Sequence, residues 1–391
     1  MASINSPKRK ICVVTGSRAD YGLLRWTLLA LQTDKRFDLQ LCVTGMHLAK
    51  EFGSTEREIL DDGLLIKRKI DSRLISDSPF GISRSMAAGV EGFAKVYLDL
   101  KPDLLLVVGD RFETFAAVVA TLPFGIPVAH CHGGELTLGA IDEAMRHAIT
   151  KMSHLHFVST EAYKRRVIQL GEDPDRVFIS GALGLENISK IKLLGRRALE
   201  EELKLPFREK LTVVTFHPPT LELDQIQNQF KQILGALLKL KDTTIVFTMP
   251  NADTGGRVIM RMIERFVKEN PESAKAFASL GTERYLSLLK QADFVLGNSS
   301  SGIIEAPSLK IPTINVGDRQ KGRIRAKSVI DVPADTSAII KGIRKSQRAG
   351  FQNMLRRLKN PYDVGSASVV IVRELKRASL KGINKKVFHD L

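Results

Sequence analysis

Ionisable side chains follow two neighbouring predicted strands at the points where those strands end. Asp110 comes two residues after the apolar run Leu104 to Val108, and Glu135 follows the next apolar run, Ile126 to Ala129. Ligands of open α/β sheets bind at the carboxyl ends of parallel strands, so these side chains are expected to converge. The expected set is Asp110, His130, His132, Glu135 and Asp142. Such groups can transfer protons, and this interpretation is preferred to a helix cap at Asp110 and a solvated charge at Glu135.

A serine-rich segment, Gly297 to Gly302, follows another predicted strand and opens a helix. Its small residues, free backbone N–H groups and three hydroxyls suit a diphosphate. Glu305 lies four residues after Ser301, where a carboxylate could accept two ribose hydroxyls. The alternative interpretation is that Glu305 is an ordinary first-turn acid, favoured by the helix dipole.

Two further loops end predicted strands in the first half of the chain. The loop Gly16 to Asp20 should direct backbone N–H groups at an anion, and Arg18 adds a fixed positive charge suited to phosphate. The full dinucleotide fingerprint is absent, so the sequence does not predict NAD binding. His47, which follows Gly45 in the second loop, is either an ordinary loop histidine or a further member of the site.

The alternation of strands and helices predicts two doubly wound α/β domains with a deep cleft between them. The predicted strands are 10–15, 39–43, 65–70, 104–108, 126–129, 155–158 and 177–180, then 211–216, 244–249, 294–296, 313–316 and 329–332. The predicted domains are 1–181 and 182–365, followed by a C-terminal segment, 366–391. Residues 181–195 have mixed character and suit a hinge.

Composition limits the class of protein. A chain of 391 residues is too long for one ordinary core, which favours two domains. It has 43% hydrophobic and 26% charged residues, which is typical of a soluble enzyme. No apolar run is long enough to span a membrane, and Met1 to Lys10 does not have the character of a signal peptide. The three cysteines, Cys12, Cys42 and Cys131, are expected to be reduced thiols of a cytoplasmic protein, and no residues have the spacing of a metal site.

The formal net charge is +16, which invites a nucleic-acid interpretation. The basic residues are scattered, however, no nucleic-acid-binding motif accompanies them, and aromatic residues are few. We therefore predict a basic solvated surface, part of which attracts anionic substrates, with neither a nucleic acid nor a membrane as partner.

Several motifs occur together and in order, and in this combination they are specific. They are Gly16-Ser17-Arg18-Ala19-Asp20-Tyr21, Thr44-Gly45-Met46-His47, Gly109-Asp110-Arg111, His132-Gly133-Gly134-Glu135, Arg146-His147-Ala148-Ile149-Thr150-Lys151, Gly297-Asn298-Ser299-Ser300-Ser301-Gly302 and Gly317-Asp318-Arg319-Gln320. Across about residues 10 to 365 the chain resembles the hydrolysing UDP-N-acetylglucosamine 2-epimerases of sialic-acid and related nonulosonic-acid biosynthesis. Any one of these motifs alone would be weak evidence.

The resemblance implies a GT-B-like fold in which the second domain binds UDP, the first domain faces the sugar, and the C-terminal helix returns to the first domain. It also implies a homodimer or homotetramer without a cofactor. By match to the family pattern, the UDP contacts are Arg18, His217, Asn251, Ser299, Ser300, Glu305 and Arg319, and the sugar-side group is His47, Asp110, Glu135 and Asp142. Some members carry a glutamate where this chain has His132, so both His132 and Glu135 are kept as catalytic candidates.

The implied reaction eliminates UDP across C1–C2 and adds water to the resulting glycal, with inversion at C2. UDP-N-acetylglucosamine leads as the predicted substrate, and UDP-2,4-diacetamido-2,4,6-trideoxyglucose is the alternative. The loops expected to face C4 to C6 are 44–52 and 75–84. A non-hydrolysing epimerase, a GT-B glycosyltransferase and a nucleotide-sugar-binding protein remain as rival functions.

Overall fold

The computed structural model describes residues 7–49, 51, 53 and 55–391. Lys50 and Phe52 of the predicted 44–52 loop, and the first six residues of the predicted polar N-terminus, lie outside the described residues. Within this part of the chain the strands form two parallel sheets, one of seven strands and one of six. None of the helices described there has the length and apolar character needed to cross a membrane.

The first sheet has the strand order β3-β2-β1-β4-β5-β6-β7. Its central strand β4 contains only Leu and Val, and all five side chains are buried, as expected for a strand covered by helices on both faces. The elements are β1 (Arg9–Thr15), α1 (Arg18–Thr33), β2 (Phe37–Thr44), α2 (Glu56–Asp61), β3 (Ile66–Ile70), α3 (Pro79–Leu100), β4 (Leu104–Val108), α4 (Phe112–Thr121), β5 (Val128–Cys131), α5 (Asp142–Met152), β6 (Leu155–Val158), α6 (Glu161–Gln169) and β7 (Val177–Ile179).

The second sheet repeats the same pattern, in the order β10-β9-β8-β11-β12-β13. Its elements and the connecting helices are α7 (Leu185–Lys190), α8 (Arg196–Leu203), β8 (Lys210–Thr215), α9 (Ile226–Leu237), β9 (Thr243–Thr248), α10 (Gly256–Glu269), β10 (Ala274–Phe277), α11 (Gly281–Gln291), β11 (Phe294–Gly297), α12 (Ser301–Ser308), β12 (Thr313–Val316), β13 (Val329–Val332), α13 (Thr336–Ser346) and α14 (Ala349–Arg356). The sequence prediction omitted β10. This edge strand is short, and three of its four residues are only partly buried, so it lacks the apolar run that marks the other strands.

Each sheet reverses its strand order at one point, between β1 and β4 in the first sheet and between β8 and β11 in the second. Ligands of open α/β sheets bind outside the carboxyl ends of the strands at this switch point. The loops that leave these four strands carry Arg18, Asp110, His217 and Ser299. The topology therefore brings the polar loops identified in the sequence to the region between the domains.

The last helix, α15 (Ala367–Arg377), packs against α1 of the first domain. Ile371 and Leu375 belong to the first domain's core and are fully buried. Arg9 donates hydrogen bonds to the carbonyls of Leu375 and Ala378 at the end of this helix. The chain thus enters the second domain and returns to the first.

Candidate active site

A cleft of about 250 Å³ lies between the two sheets and contains most of the predicted site residues. Its walls come from the loops after β1, β4 and β5 on one side and after β8, β9, β11 and β12 on the other. The predicted residues that line it are Arg18, Asp110, His132, Glu135, Asp142, His217, Asn251, Ser299, Ser300, Glu305 and Arg319.

The serine-rich loop is fixed to the neighbouring strand by Asn298. Its side-chain oxygen accepts the His217 N–H at 2.7 Å, and its amide donates to the His217 carbonyl at 2.8 Å. Ser299 accepts the Ser301 N–H at 3.3 Å, while the buried Ser301 hydroxyl has no partner among the described residues. The eight-residue helix α12 therefore begins at the cleft wall with polar groups available for a ligand.

Two arginines from opposite domains bring positive charge to this part of the cleft. Arg18 Nη1 and Arg319 Nε are buried and have no partner among the described residues. Arg319 Nη1 donates to the Asn298 carbonyl at 3.2 Å. Burial lowers the pKa of both guanidiniums, against the raising effect of neighbouring acidic groups. Buried donors of this kind are suited to an anionic ligand.

Glu305 stands in the first turn and a half of α12 and lines the same cleft. Burial raises the pKa of its carboxyl to about 7, although the nearby Ser301 hydroxyl and the charge of Arg323 oppose the rise. A Cβ at Gly184 would lie 2.3 Å from Glu305 Oε1. Position 184 therefore has to be glycine for the Glu305 carboxylate to keep this place.

His217 and Asn251 face the cleft from the ends of β8 and β9. His217 Nδ1 accepts the backbone N–H of Asn251 at 3.3 Å, which leaves the ring proton on Nε2. Burial lowers the pKa of His217 to about 3, helped by the charge of Arg319. This histidine is therefore neutral at physiological pH and presents one N–H donor.

On the opposite wall, Asp110 is paired with the buried Arg146. Arg146 also donates to the Glu135 carbonyl at 2.8 Å and to the Thr137 hydroxyl at 2.7 Å, so its position is fixed from three sides. The Asp110 side chain is still 20% exposed. Asp110 does not cap α4, whose N-cap, Arg111, makes no side-chain capping bond. Asp110 is thus an accessible carboxylate held by a cation.

Glu135, by contrast, is 1% exposed and receives three donors. His132 Nδ1 and the Ser159 hydroxyl each lie 2.8 Å from Oε1, and Arg323 lies 3.1 Å from Oε2. Burial would raise the pKa of Glu135, but the charge of Arg323 and the bonds from His132 and Ser159 outweigh it and bring the pKa down to about 2. Glu135 is therefore a permanent anion with little freedom to exchange protons.

Asp142 is the first residue of α5, and its carboxylate accepts no side-chain hydrogen bond from the described residues. Burial and the charge of Asp253 raise the pKa of Asp142, while Arg319 and Arg111 oppose the rise. Asp253 comes from the second domain, and its carboxylate is bound by Arg111 at 3.1 Å. This arrangement favours the protonated form of Asp142.

Two histidines named in the sequence lie behind the cleft rather than in it. His47 is fully buried, with ring nitrogens 2.9 Å from the Thr15 hydroxyl and 2.8 Å from the Thr55 hydroxyl. His130 is also fully buried and contacts the Gly109 carbonyl at 2.7 Å. Burial lowers the pKa of His47 to about 4 and that of His130 to about 3. Their contacts support the loops that carry Arg18 and Asp110.

Five charged residues of the cleft were not selected from the sequence: Asp20, Arg111, Arg146, Asp253 and Arg323. Arg111 and Asp253 stand in loops that the sequence identified as polar strand ends, which is the signal that could have found them. Arg323 lies six residues beyond Gly317 and has no such signal. Among the described residues, no three His, Cys, Asp or Glu side chains are grouped so that they could hold a metal ion.

The fold and the cleft define a two-domain α/β protein of the GT-B-like class. The solved structure of UDP-N-acetylglucosamine 2-epimerase from Neisseria meningitidis, bound to UDP-N-acetylglucosamine, superposes with a TM-score of 0.76 at 20% identity, over 94% of this chain and 100% of that one. The sequence profile described as UDP-N-acetylglucosamine 2-epimerase matches residues 29–376. The chain belongs to this family and is an epimerase.

Three relatives are similar over most of the chain. The hydrolysing GDP/UDP-N,N'-diacetylbacillosamine 2-epimerase of Campylobacter jejuni is 41% identical, over 98% of this chain and 100% of the relative. Polysialic acid biosynthesis protein P7 of Escherichia coli is 41% identical, over 98% of both. The hydrolysing UDP-N,N'-diacetylbacillosamine 2-epimerase of Legionella pneumophila is 39% identical, over 86% of this chain and 89% of the relative.

Proposed function

We propose that this protein is a hydrolysing 2-epimerase of a UDP-2-acetamido sugar, which releases UDP and the C2-inverted free sugar. One observation carries the proposal: the cleft holds carboxylates of opposite protonation tendency, together with arginine donors from both domains that have no partner among the described residues. Such a cleft can remove a weakly acidic C–H proton while it stabilises a departing diphosphate.

The reaction has two steps. A base removes the proton from C2 while the C1–O bond breaks, and its electron pair leaves on the diphosphate, so that a C1=C2 double bond forms. Water then adds across this bond, with the hydroxyl bonded to C1 and a proton delivered to the opposite face of C2. The sum is UDP-sugar plus water giving UDP plus the epimerised sugar.

The physical state of each carboxylate favours a division of roles. Asp110 is paired with Arg146 and open to the cleft, which suits the base. Asp142 holds a proton more readily, because burial and Asp253 raise its pKa, and this suits the donor to C2. Glu135 accepts two hydrogen bonds, forms an ion pair with Arg323 and acts as a fixed negative charge.

The nucleotide lies along the second domain in this proposal. The start of α12 with Ser299 and Ser300, together with Arg18 and Arg319, binds the diphosphate, and Glu305 accepts the ribose hydroxyls. His217 and Asn251 contribute N–H and amide groups from the same wall. The leaving diphosphate then develops its charge against donors that are already in place.

For the sugar, the relatives from C. jejuni and L. pneumophila support UDP-N,N'-diacetylbacillosamine, which is UDP-2,4-diacetamido-2,4,6-trideoxyglucose. The family description and the polysialic acid protein support UDP-N-acetylglucosamine as the second candidate. The loop 75–84 does not discriminate between the two sugars, because Ile75 and Phe80 are each 73% exposed and neither lines the cleft. We place the diacetamido sugar first.

The test incubates the purified protein with each UDP-sugar and no acceptor, and follows both products by NMR. Free UDP together with a free C2-inverted sugar supports the proposal, whereas an intact epimerised nucleotide supports a non-hydrolysing enzyme. Unchanged substrate supports a transferase or a binding protein. A kcat/KM for UDP-N-acetylglucosamine about ten-fold above that for the diacetamido sugar would reverse the order of the two substrates.

A further inference from the structure

We infer that His132 is a positioning residue for Glu135, locked as its Nδ1-protonated tautomer by the segment that joins the two domains, and that it transfers no proton itself. The inference deepens the proposed function and rests on it for its kinetic consequences. The tautomer can be tested without any activity.

The backbone fixes where this ring can point. His132 has φ +66°, in the left-handed region, although it is not glycine. Its N–H donates to the Phe157 carbonyl of β6 at 2.8 Å, which ties this conformation to the sheet. A left-handed conformation is costly for most residues and better tolerated by Asn, Asp and His. The position is therefore restricted to few residue types before any chemistry is considered.

The partners of the two ring nitrogens determine the tautomer. Nε2 lies 3.2 Å from the backbone N–H of Leu183, which can only donate, so Nε2 carries the lone pair. The ring proton must then be on Nδ1, where it donates to Glu135 Oε1 at 2.8 Å. A second proton, on Nε2, would point at the backbone N–H of Leu183 and break the hydrogen bond between them. His132 thus has neither a free lone pair nor a free N–H for the substrate.

The hydrogen bonds of His132 connect Leu183, in the segment that joins the two domains, with Glu135 in the cleft. Leu183 precedes Gly184, whose backbone lies against the carboxylate of Glu305 on the nucleotide wall. Through its two ring nitrogens, His132 links this connecting segment to Glu135. Arg323 of the second domain pairs with the other carboxylate oxygen of Glu135. Glu135 is therefore oriented by groups from both domains, and the orientation depends on the tautomer of His132.

Asparagine offers a decisive substitution. His132→Asn tolerates the left-handed backbone, and its amide nitrogen occupies the place of Nδ1, so it can still donate to Glu135. His132→Gln has a similar polarity but places its amide at the distance of Nε2, without the donor to Glu135. We expect His132→Asn to keep kcat within about three-fold of wild type, and His132→Gln to lose about 10- to 100-fold, as for one lost hydrogen bond to a charged group.

The ionisation of Glu135 separates positioning from simple misfolding. Loss of the His132 donor removes one of the groups that lower the pKa of Glu135, so this pKa, followed by ¹³C NMR of the side-chain carboxyl, should rise in His132→Gln and stay in place in His132→Asn. The other groups that face this pair are Arg146, Arg323, His130, Tyr163, Tyr362 and Glu305. Ser159→Ala, which removes the second donor to the same Oε1, is the matched comparison and should raise the pKa of Glu135 in the same direction.

An independent measurement uses the folded wild-type protein. Long-range proton–nitrogen NMR of protein labelled with ¹⁵N at histidine should show the neutral ring of His132, identified by its absence in the variants, at pH 8 with Nδ1 protonated and Nε2 without a proton. A protonated Nε2, or a His132→Asn enzyme as inactive as His132→Gln, overturns the inference. If no UDP-sugar is turned over, the proposed function fails while the tautomer is still decided.

Discussion

Burial of the Glu305 carboxylate should lower the folding stability of the nucleotide-free protein by an amount that can be measured. Its carboxyl pKa is about 7 instead of the ordinary 4.5, mainly because the group is buried. At about 1.4 kcal/mol per pH unit, this difference corresponds to about 3 kcal/mol of destabilisation when the carboxyl is ionised. The pKa of Glu305 is higher in the folded protein than in the unfolded chain. The contribution of its protonated carboxyl to the unfolding free energy is therefore fully present below pH 4.5 and is lost as the pH rises through about 7.

Glu305→Gln removes this titration and keeps the shape of the side chain. We expect the variant to gain about 2–3 kcal/mol in unfolding free energy relative to wild type when the pH goes from 5 to 8, measured by urea unfolding without nucleotide. The constant cost of burying an amide cancels in this comparison between two pH values. Although the variant becomes more stable relative to wild type at high pH, it should bind UDP more weakly than wild type. The loss should be about 1–3 kcal/mol at pH 8, because charged hydrogen bonds to the ligand are lost.

Glu264→Gln, at an exposed position of α10 in the same domain, controls for the removal of a surface charge. If the stability difference between Glu305→Gln and wild type is the same at pH 5 and pH 8, Glu305 is not a carboxyl of raised pKa. If the UDP dissociation constant of the variant is unchanged, Glu305 is only a first-turn acid of α12. Wild-type binding itself should tighten as the pH rises through about 7.

Three further substitutions test other parts of the cleft. Asp110→Asn should leave UDP binding by calorimetry nearly intact and lower turnover by about 10² or more, as loss of a general base does, and wild-type turnover would exclude Asp110 as the base. Arg18→Met should weaken UDP binding by about 1–3 kcal/mol, because it deletes a guanidinium whose buried Nη1 has no partner among the described residues, and an unchanged dissociation constant would remove Arg18 from the diphosphate site. Gly184→Ala should weaken UDP by displacing the Glu305 carboxylate, whereas Gly195→Ala, which meets nothing within 4 Å, should be neutral, and equal effects would contradict this.

The fold class predicted from the sequence is confirmed because its signal is local. An apolar run such as Leu104 to Val108 marks a strand covered on both faces, wherever the neighbouring strands lie. Where the signal was weak, the prediction was less good: β10 was missed, and α1 begins at Arg18, within the predicted loop Gly16 to Asp20. The side chain of Ser17 accepts the Asp20 N–H there and adds a first turn to the helix.

The candidate site was predicted less completely than the fold, because part of it depends on how the two domains meet. The sequence identified the strand ends that carry Asp110 and Ser299, since each is a feature of one loop. It could not show that Glu135 would form an ion pair with Arg323, which is 188 residues away in the sequence. It also could not show that the ring nitrogens of His47 would be engaged by two threonine hydroxyls.

The charge pairs that cross the cleft explain why the catalytic wall needs both domains. Glu135 with Arg323 and Arg111 with Asp253 are ion pairs between the domains, and all four side chains are at most 11% exposed. Removal of one partner from such a pair leaves an uncompensated buried charge, which costs more than the pair contributes when intact. Separation of the domains would expose these groups to water and release Asp142 from the charge of Asp253 that helps to raise its pKa. The raised pKa of Asp142 therefore depends on the domains being together, and there the buried Arg18 Nη1 and Arg319 Nε, which have no partner among the described residues, lie at the cleft.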